Sequence, residues 1–342
     1  MDTRIVAVGD AVGLVLSHDL TRIVPGEFKG PAFKKGHVIR PGDVDLLRDM
    51  GKEHIYVLEL EAGEVHEDEA GIRLGQAVAG RGIACTPPRE SRVNLVAAVT
   101  GLLKVDVNAL EEVNDLPEVV LATLPNNTAV REGEMVGGTK VIPLVVRAEV
   151  LEAAEGIATD GVVSVVPYKP TEIGLVVTGH EVYQGRIIDR FQPLMAQKAA
   201  LYGSRLAKTV FTGDDASRIA AAIRETADLG AGLILVSGGM SVDPDDVTPQ
   251  GIRLSGASIE KYGAPVLPGA MFLLAYLEDI PVLGVPASAI YFQTTVLDLV
   301  LPRLLTGEHL TRRDINRMGH GGLCRNCPEC RFPHCGFGRG GR

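Results

Sequence analysis

Ser237, Gly238, Gly239 and Ser241 follow directly on four apolar residues, Leu233 to Val236, and are themselves followed by Asp243, Asp245 and Asp246. Glycines lack a Cβ, so Gly238 and Gly239 predict a turn at positive φ whose N–H groups are free to face an anion. An apolar run ending in a glycine turn is where open α/β sheets bring ligands, outside the carboxyl ends of their strands. Carboxylates beside a bound phosphate imply Mg²⁺. The same residues also fit an ordinary strand-to-loop turn with solvated acids, because a lone glycine pair is weak evidence.

The second chemical signal is a set of thiols. Cys324, Cys327, Cys330 and Cys335 are spaced C-x₂-C-x₂-C-x₄-C, and in a reducing cytoplasm such clustering favours metal over disulfides. Two metals are open. Zinc usually takes paired C-x₂-C units separated by a long interval, whereas one short run is closer to an iron–sulfur pattern, which is favoured. The metal would act as a structural staple or as an electron or partner contact. Glycines on both sides of the run predict a loosely tethered module. Cys85, by itself, reads as a small buried apolar residue.

These residues need elements to position them. From Thr171 to about Leu305 strands alternate with helices, which implies parallel pairing and helices on both faces of a sheet. Strands are expected over 173–177, 206–211, 233–236 and 280–285. Helices are expected over 191–201, after Asp214 or Asp215 as N-cap, and as one long element from Ser288 to Leu305. Ile219, Ala222, Ile223 and Ala227 form one apolar stripe on the second of these helices. The fold class is α/β, a three-layer α/β/α domain with a mostly parallel sheet.

The remainder is less regular. Residues 2–8, 13–16 and 55–58 read as strands and 43–50 as a helix ending at Gly51. Residues 25–37 read as a loop carrying Lys29, Lys34 and Lys35, either solvated or holding an anionic group. Two amphipathic helices are expected over 67–80 and 93–103, and strands over 119–123 and 141–146. The expected organisation is an N-terminal mixed α/β segment (1–65), a middle α+β segment (66–168), the α/β domain (169–308) and a basic Cys-rich tail (309–342).

At 342 residues several domains are expected. A hydrophobic content of 46% beside 23% charged residues describes a globular chain. No apolar run is long enough for a membrane span, and the first residues show no signal pattern, so the expected location is cytoplasmic. A net charge of −9, no Trp and 4% aromatics argue against a nucleic-acid surface. Charge is uneven, since residues 311–342 hold seven Arg against Asp314 and Glu329.

Thr178-Gly-His-Glu181, Arg186-Ile-Ile-Asp189, Ser237-Gly-Gly-Met-Ser241 with Asp246, and Gly284-Val-Pro-Ala-Ser288 together resemble the molybdopterin-binding domain of molybdenum-cofactor biosynthesis proteins. In length and layout the chain resembles the molybdopterin molybdenumtransferases, which insert molybdate into adenylylated molybdopterin. That resemblance implies a ligand site formed by Thr178, Gly179, His180, Glu181, Asp189, Ser237, Gly238, Gly239, Ser241, Pro268, Gly269, Pro286 and Ser288. It also implies catalytic acids at Asp214 and Asp246 with Mg²⁺, molybdate or tungstate as co-substrate, a molybdoenzyme or cofactor-synthesis partner, and a homodimer.

The departures from that pattern are specific. His180 stands where the family has Asp, Leu267-Pro-Gly-Ala-Met271 replaces a run with two lysines, and Val285-Pro-Ala-Ser288 replaces Leu-Pro-Gly-Asn. A non-catalytic carrier or sensor of molybdopterin is therefore one alternative. The turn from Gly238 to Thr248 also resembles competence-damage-inducible proteins, which implies a metal-dependent nucleotide pyrophosphatase as another.

Overall fold

The computed structural model describes residues 3–24, 28–58, 60–89, 91–184, 186, 188–241, 243–244 and 246–340. The chain forms two compact units that interleave in sequence. Residues 1–96, 106–124 and 135–164 make the first, and residues 97–105, 125–134 and 165–342 make the second. This differs from the sequence division in two ways. The middle segment is shared between the units, and the tail belongs to the second.

In the first unit, strand Thr3–Ala7 pairs antiparallel with His54–Leu58, which also takes Val15–Leu16, and helix Asp43–Asp49 forms where its apolar spacing predicts. Residues 28–33 are not loop. They form a strand paired with Leu20–Val24, with Pro31 tolerated because the two strands form a sheet of their own. Helix Glu67–Val78 forms as expected. The helix expected over 93–103 is instead two strands, Val93–Ala97 and Gly101–Val105. Val93, Leu95 and Ala97 are buried while Asn94 and Val96 are half-buried, the period-two pattern of a strand, and a bend separates the two halves.

The second unit is built on a six-stranded sheet. Its elements are β1 (Glu172–Thr178), α1 (His180–Tyr183), α2 (Phe191–Ala200), β2 (Arg205–Thr212), α3 (Ala216–Asp228), β3 (Leu233–Ser237), α4 (Thr248–Leu254), β4 (Ser258–Tyr262), β5 (Leu273–Leu277), β6 (Ile280–Val285), α5 (Ser288–Tyr291), α6 (Val296–Leu305) and α7 (Arg312–Arg317). The strand order is β2-β1-β3-β6-β5-β4. The first four run parallel, and β5 and β4 add an antiparallel edge. The sequence pattern predicts no strands in the stretch that forms this edge.

Both faces of the sheet are covered. Ile173, Leu175 and Val177 of β1 point into one core with Phe191, Met195, Val300 and Leu301, while Val176 points into the other with Ile219 and Ile223. This is why the parallel strands read as unbroken apolar runs. The stripe expected on α3 is the face it buries, and Gly174 lets that helix close in, since a Cβ there would lie 1.9 Å from Thr226 Cγ2. The long helix expected from Ser288 to Leu305 is broken into α5 and α6. Thr295 and Asp298 form a reciprocal capping box that starts a new helix at Val296.

The tail is packed, contrary to the loose tether its glycines predict. Ile315, Met318 and Phe337 are buried in the same core as α6, with Phe332, Cys324 and Cys335 against it. Leu267 N–H donates to Gly322 O at 2.8 Å and Cys324 N–H donates to Leu267 O at 2.8 Å, so the tail also pairs with the loop between β4 and β5. The flanking glycines serve close approach: a Cβ on Gly338 would lie 2.4 Å from Leu299, and one on Gly340 2.4 Å from His320 O.

Candidate functional site

The register of the parallel strands brings the sequence motifs to one edge of the sheet. Thr178 of β1 lies beside Thr212 of β2, Val177 beside Ser237 of β3, and Ser237 beside Val285 of β6. The loops that follow carry Gly179 and His180, Asp214, Gly238 to Asp246, and Pro286 to Ser288. Because β5 is antiparallel to β6, with Leu273 beside Gly284 and Tyr262 of β4 beside Leu273, the loop bearing Pro268 and Gly269 falls at this edge too.

The chain runs from β1 outward to β2 and then returns across β1 to β3. That reversal makes the crevice between the β1 and β3 loops a topological switch point, where doubly wound sheets bind ligands. Here the backbone is unusually close. Gly238 has φ +89°, and a Cβ on it would lie 2.6 Å from Thr178 O and Oγ1; Gly239 has φ +55°, and a Cβ would lie 2.7 Å from Thr248 Oγ1. Only glycine fits either position. Thr178 Oγ1 donates to Ser237 O at 3.0 Å and lies 3.3 Å from Thr248 Oγ1, while Thr248 N–H donates to Gly239 O at 3.2 Å. The two buried threonines thus hold the turn against β1.

Two hydroxyls at this edge are left over. Ser237 is fully buried, and among the described residues its Oγ has no hydrogen-bond partner; the same holds for the buried Oγ of Ser288. Such orphaned groups in a native site are costly unless something else satisfies them. Ser237 ends β3 and Ser288 opens α5 after β6, so both stand at the ends of neighbouring strands.

The acids take distinct roles. Asp215, not Asp214, caps α3, accepting from Arg218 N–H at 2.8 Å. Asp214 is thereby released to accept from His180 N–H at 2.9 Å. The exposed His180 ring lies over Gly213, where a Cβ would be 3.2 Å from Nδ1. Asp246 accepts from Asp243 N–H at 3.2 Å and its own N–H donates to Asp243 O at 2.9 Å, closing the turn on itself. Asp189 stands one residue before Arg190, the N-cap of α2, and its two oxygens accept from Phe191 N–H at 2.8 Å and Gln192 N–H at 2.9 Å.

Other positions are engaged within the fold. Pro268 O accepts from Val296 N–H at 3.3 Å and Gly269 packs on Val296, so this loop leans on the start of α6. Pro286 is buried and Ser241 exposed. Asp245 and the side chain of Glu181 lie outside the described residues. Tyr262 was not legible as a site residue; its hydroxyl donates to Met240 O at 2.9 Å, steadying the turn from the far edge strand. Burial pushes its phenol pKa up, and the charge of Asp246 adds to that.

The four tail cysteines are gathered at a different place in the same unit. They line one cavity of about 500 Å³ together with residues 291–294, which run on from α5. Among the described residues, no three His, Cys, Asp or Glu side chains converge so as to hold a single metal ion.

Residues 174–306 match the family model described as "Probable molybdopterin binding domain", and residues 5–59 match a domain of unknown function, DUF8806. A CinA-like protein of Mycobacterium leprae is 40% identical over 75 residues, which are 22% of this chain and 18% of that protein, so the chain spans less than a fifth of the relative's length. Among solved structures, the molybdopterin biosynthesis enzyme MoaB from Thermus thermophilus is 20% identical, covering 40% of this chain and 98% of its own, with a TM-score of 0.33. A molybdenum cofactor biosynthesis protein from Pyrococcus furiosus is 13% identical, covering 90% of this chain and 66% of its own, with a TM-score of 0.27. The second unit is thus an α/β domain whose residues 174–306 are similar to that molybdopterin-binding family model. No described helix is long and apolar enough to cross a membrane.

Proposed function

We propose that the chain binds molybdopterin in its adenylylated form and acts at metal insertion in molybdenum or tungsten cofactor biosynthesis. The observation that carries this reading is the Gly238–Gly239 turn pressed onto Thr178 at the switch point, inside the region that matches the molybdopterin-binding family model. In this reading the terminal phosphate sits against the glycine turn and Ser241. The buried hydroxyls of Ser237 and Ser288 gain a polar partner that no described residue supplies.

Mg²⁺ suits the donors present, because this ion is commonly held by one or two carboxylates with the remaining positions left to water and phosphate. Asp214 and Asp246 are the residues that would hold it, and it would neutralise charge on the phosphoryl oxygens. The chain's own contribution is positional: Asp214 holds His180 against the loop after β2, and Asp246 closes its turn onto Asp243 in the loop that continues from Gly239. Without the two family lysines, backbone N–H groups and His180 are left to face the oxyanion.

A nucleotide pyrophosphatase reading has its own support, in the resemblance of residues 238–248 to competence-damage-inducible proteins and in the 40% identity to a CinA-like protein. One experiment separates the readings: the purified protein is incubated with Mg²⁺, molybdate and adenylylated molybdopterin, and in parallel with ADP-ribose. Molybdate-dependent release of AMP, lost in Asp246→Asn, supports metal insertion. Tight binding without turnover makes the chain a carrier, and hydrolysis of ADP-ribose makes it a pyrophosphatase.

A further inference from the structure

We infer that the C-terminal cysteines form a binding site for an iron–sulfur cluster of the four-iron type. The inference rests on the tail alone and does not depend on what the strand-end loops bind.

The fold does three things that the spacing by itself does not guarantee. It returns the fourth thiol to the other three: after Cys330 a turn closes with His334 N–H donating to Arg331 O at 2.6 Å, and Cys335 then faces the same cavity as Cys324, Cys327 and Cys330. It anchors both ends of the run, through the pairing of Cys324 with Leu267 and through the burial of Phe337. It also places the apolar side chains of Phe332 and Leu323 in the lining of the cavity, with Cys327 and Cys330 on its exposed side.

The spacing and the shared cavity choose between the two metals. A structural zinc needs four ligands at about 2.3 Å from one point. Here all four thiols lie in one short C-x₂-C-x₂-C-x₄-C run and line one cavity of about 500 Å³. A single short run of that kind suits a polynuclear core, in which each thiolate bonds a different iron. Two sulfurs already have hydrogen-bonding neighbours of the kind that tune such clusters: Thr294 Oγ1 lies 3.1 Å from Cys330 Sγ, and Asn326 N–H donates to Cys324 Sγ at 3.5 Å. Arg325 and Arg331 at the rim offset the negative charge of the ligated core. On ligation each thiol releases its proton and bonds iron; the core is supplied as ferrous and ferric iron with sulfide, so binding itself transfers no electron.

The test is anaerobic reconstitution of the full chain with iron and sulfide, followed by removal of unbound metal, elemental and sulfide analysis, and visible absorption. About four irons and four sulfides per chain, with a visible sulfur-to-iron charge-transfer band, are expected. Cys327→Ser and Cys330→Ser should each lower iron at least twofold, with circular dichroism showing that the fold is kept. Cys85→Ser, in the first unit, should leave loading unchanged. About one zinc per chain without sulfide, or no retained metal in the unaltered protein, overturns the inference, and so does equal iron loading in all three variants.

Discussion

His180 N–H donates to the Asp214 carboxylate at 2.9 Å, tying the loop after β1 to the loop after the edge strand β2. With Asp215 occupied as the cap of α3, Asp214 has no capping duty to perform. Asp214→Ala should therefore weaken binding of adenylylated molybdopterin at least tenfold while changing unfolding free energy by only about 1 kcal/mol, the ordinary net worth of a hydrogen bond. Equilibrium binding paired with urea denaturation tests both halves. An unchanged affinity would remove Asp214 from the site.

Ser237 gives the opposite pairing of effects. Its buried hydroxyl has no partner among the described residues, so Ser237→Ala should leave stability unchanged or raise it by about 1–2 kcal/mol. If the oxygen is reserved for ligand, the same change should lower affinity severalfold. Stability that rises with no loss of affinity would mark Ser237 as a plain packing defect.

Acid sensitivity should centre on Glu308. It accepts from Arg303 Nε at 3.1 Å and Nη2 at 2.5 Å, and from Lys104 Nζ at 2.7 Å. Burial alone would raise its carboxyl pKa, but the hydrogen bonds and charge of Arg303, then of Lys104, outweigh burial and hold it below the usual value of about 4.3. Burial also pushes the Lys104 ammonium down, against the pull of Glu308. Glu308, paired with two cations, is the member whose titration matters in acid. A depressed carboxylate contributes its stability above the unfolded-state value and loses it as pH falls through the folded-state value. Glu308→Gln should thus cost about 1.5–3 kcal/mol at pH ~7, the scale of hydrogen bonds to charged groups. That difference should shrink steadily below pH ~4.5, as urea unfolding at several pH values would show.

The sequence was most legible where one physical rule acted alone. The buried parallel strands were visible because a strand covered on both faces needs no polar residues, and the face of α3 because its stripe has a helical period. Residues 93–103 misled because apolar residues there satisfy both periods, and the bend before Gly101 decided for strands. The break between α5 and α6 was hidden because apolar residues continue beyond it; the signal was Thr295 with Asp298, a capping box inside an apolar run. At the site, glycine types foretold the close turn, but nothing local showed which of Asp214 and Asp215 would cap α3. The antiparallel strands β4 and β5 lay beside a Pro- and Gly-rich stretch that reads as loop.

The interleaving of the two units has a consequence for how the chain is made. Lys104 meets Glu308 across 204 positions, and Arg339 donates to Thr128 across 211. Residues 97–105 and 125–134 emerge from the ribosome long before these partners exist. Gly101–Val105 can pair with Ala129–Val130 early, but these two side-chain contacts close only when Glu308 and Arg339 have been made. The second unit is thus finished by side chains that reach back more than 200 positions to strands already formed.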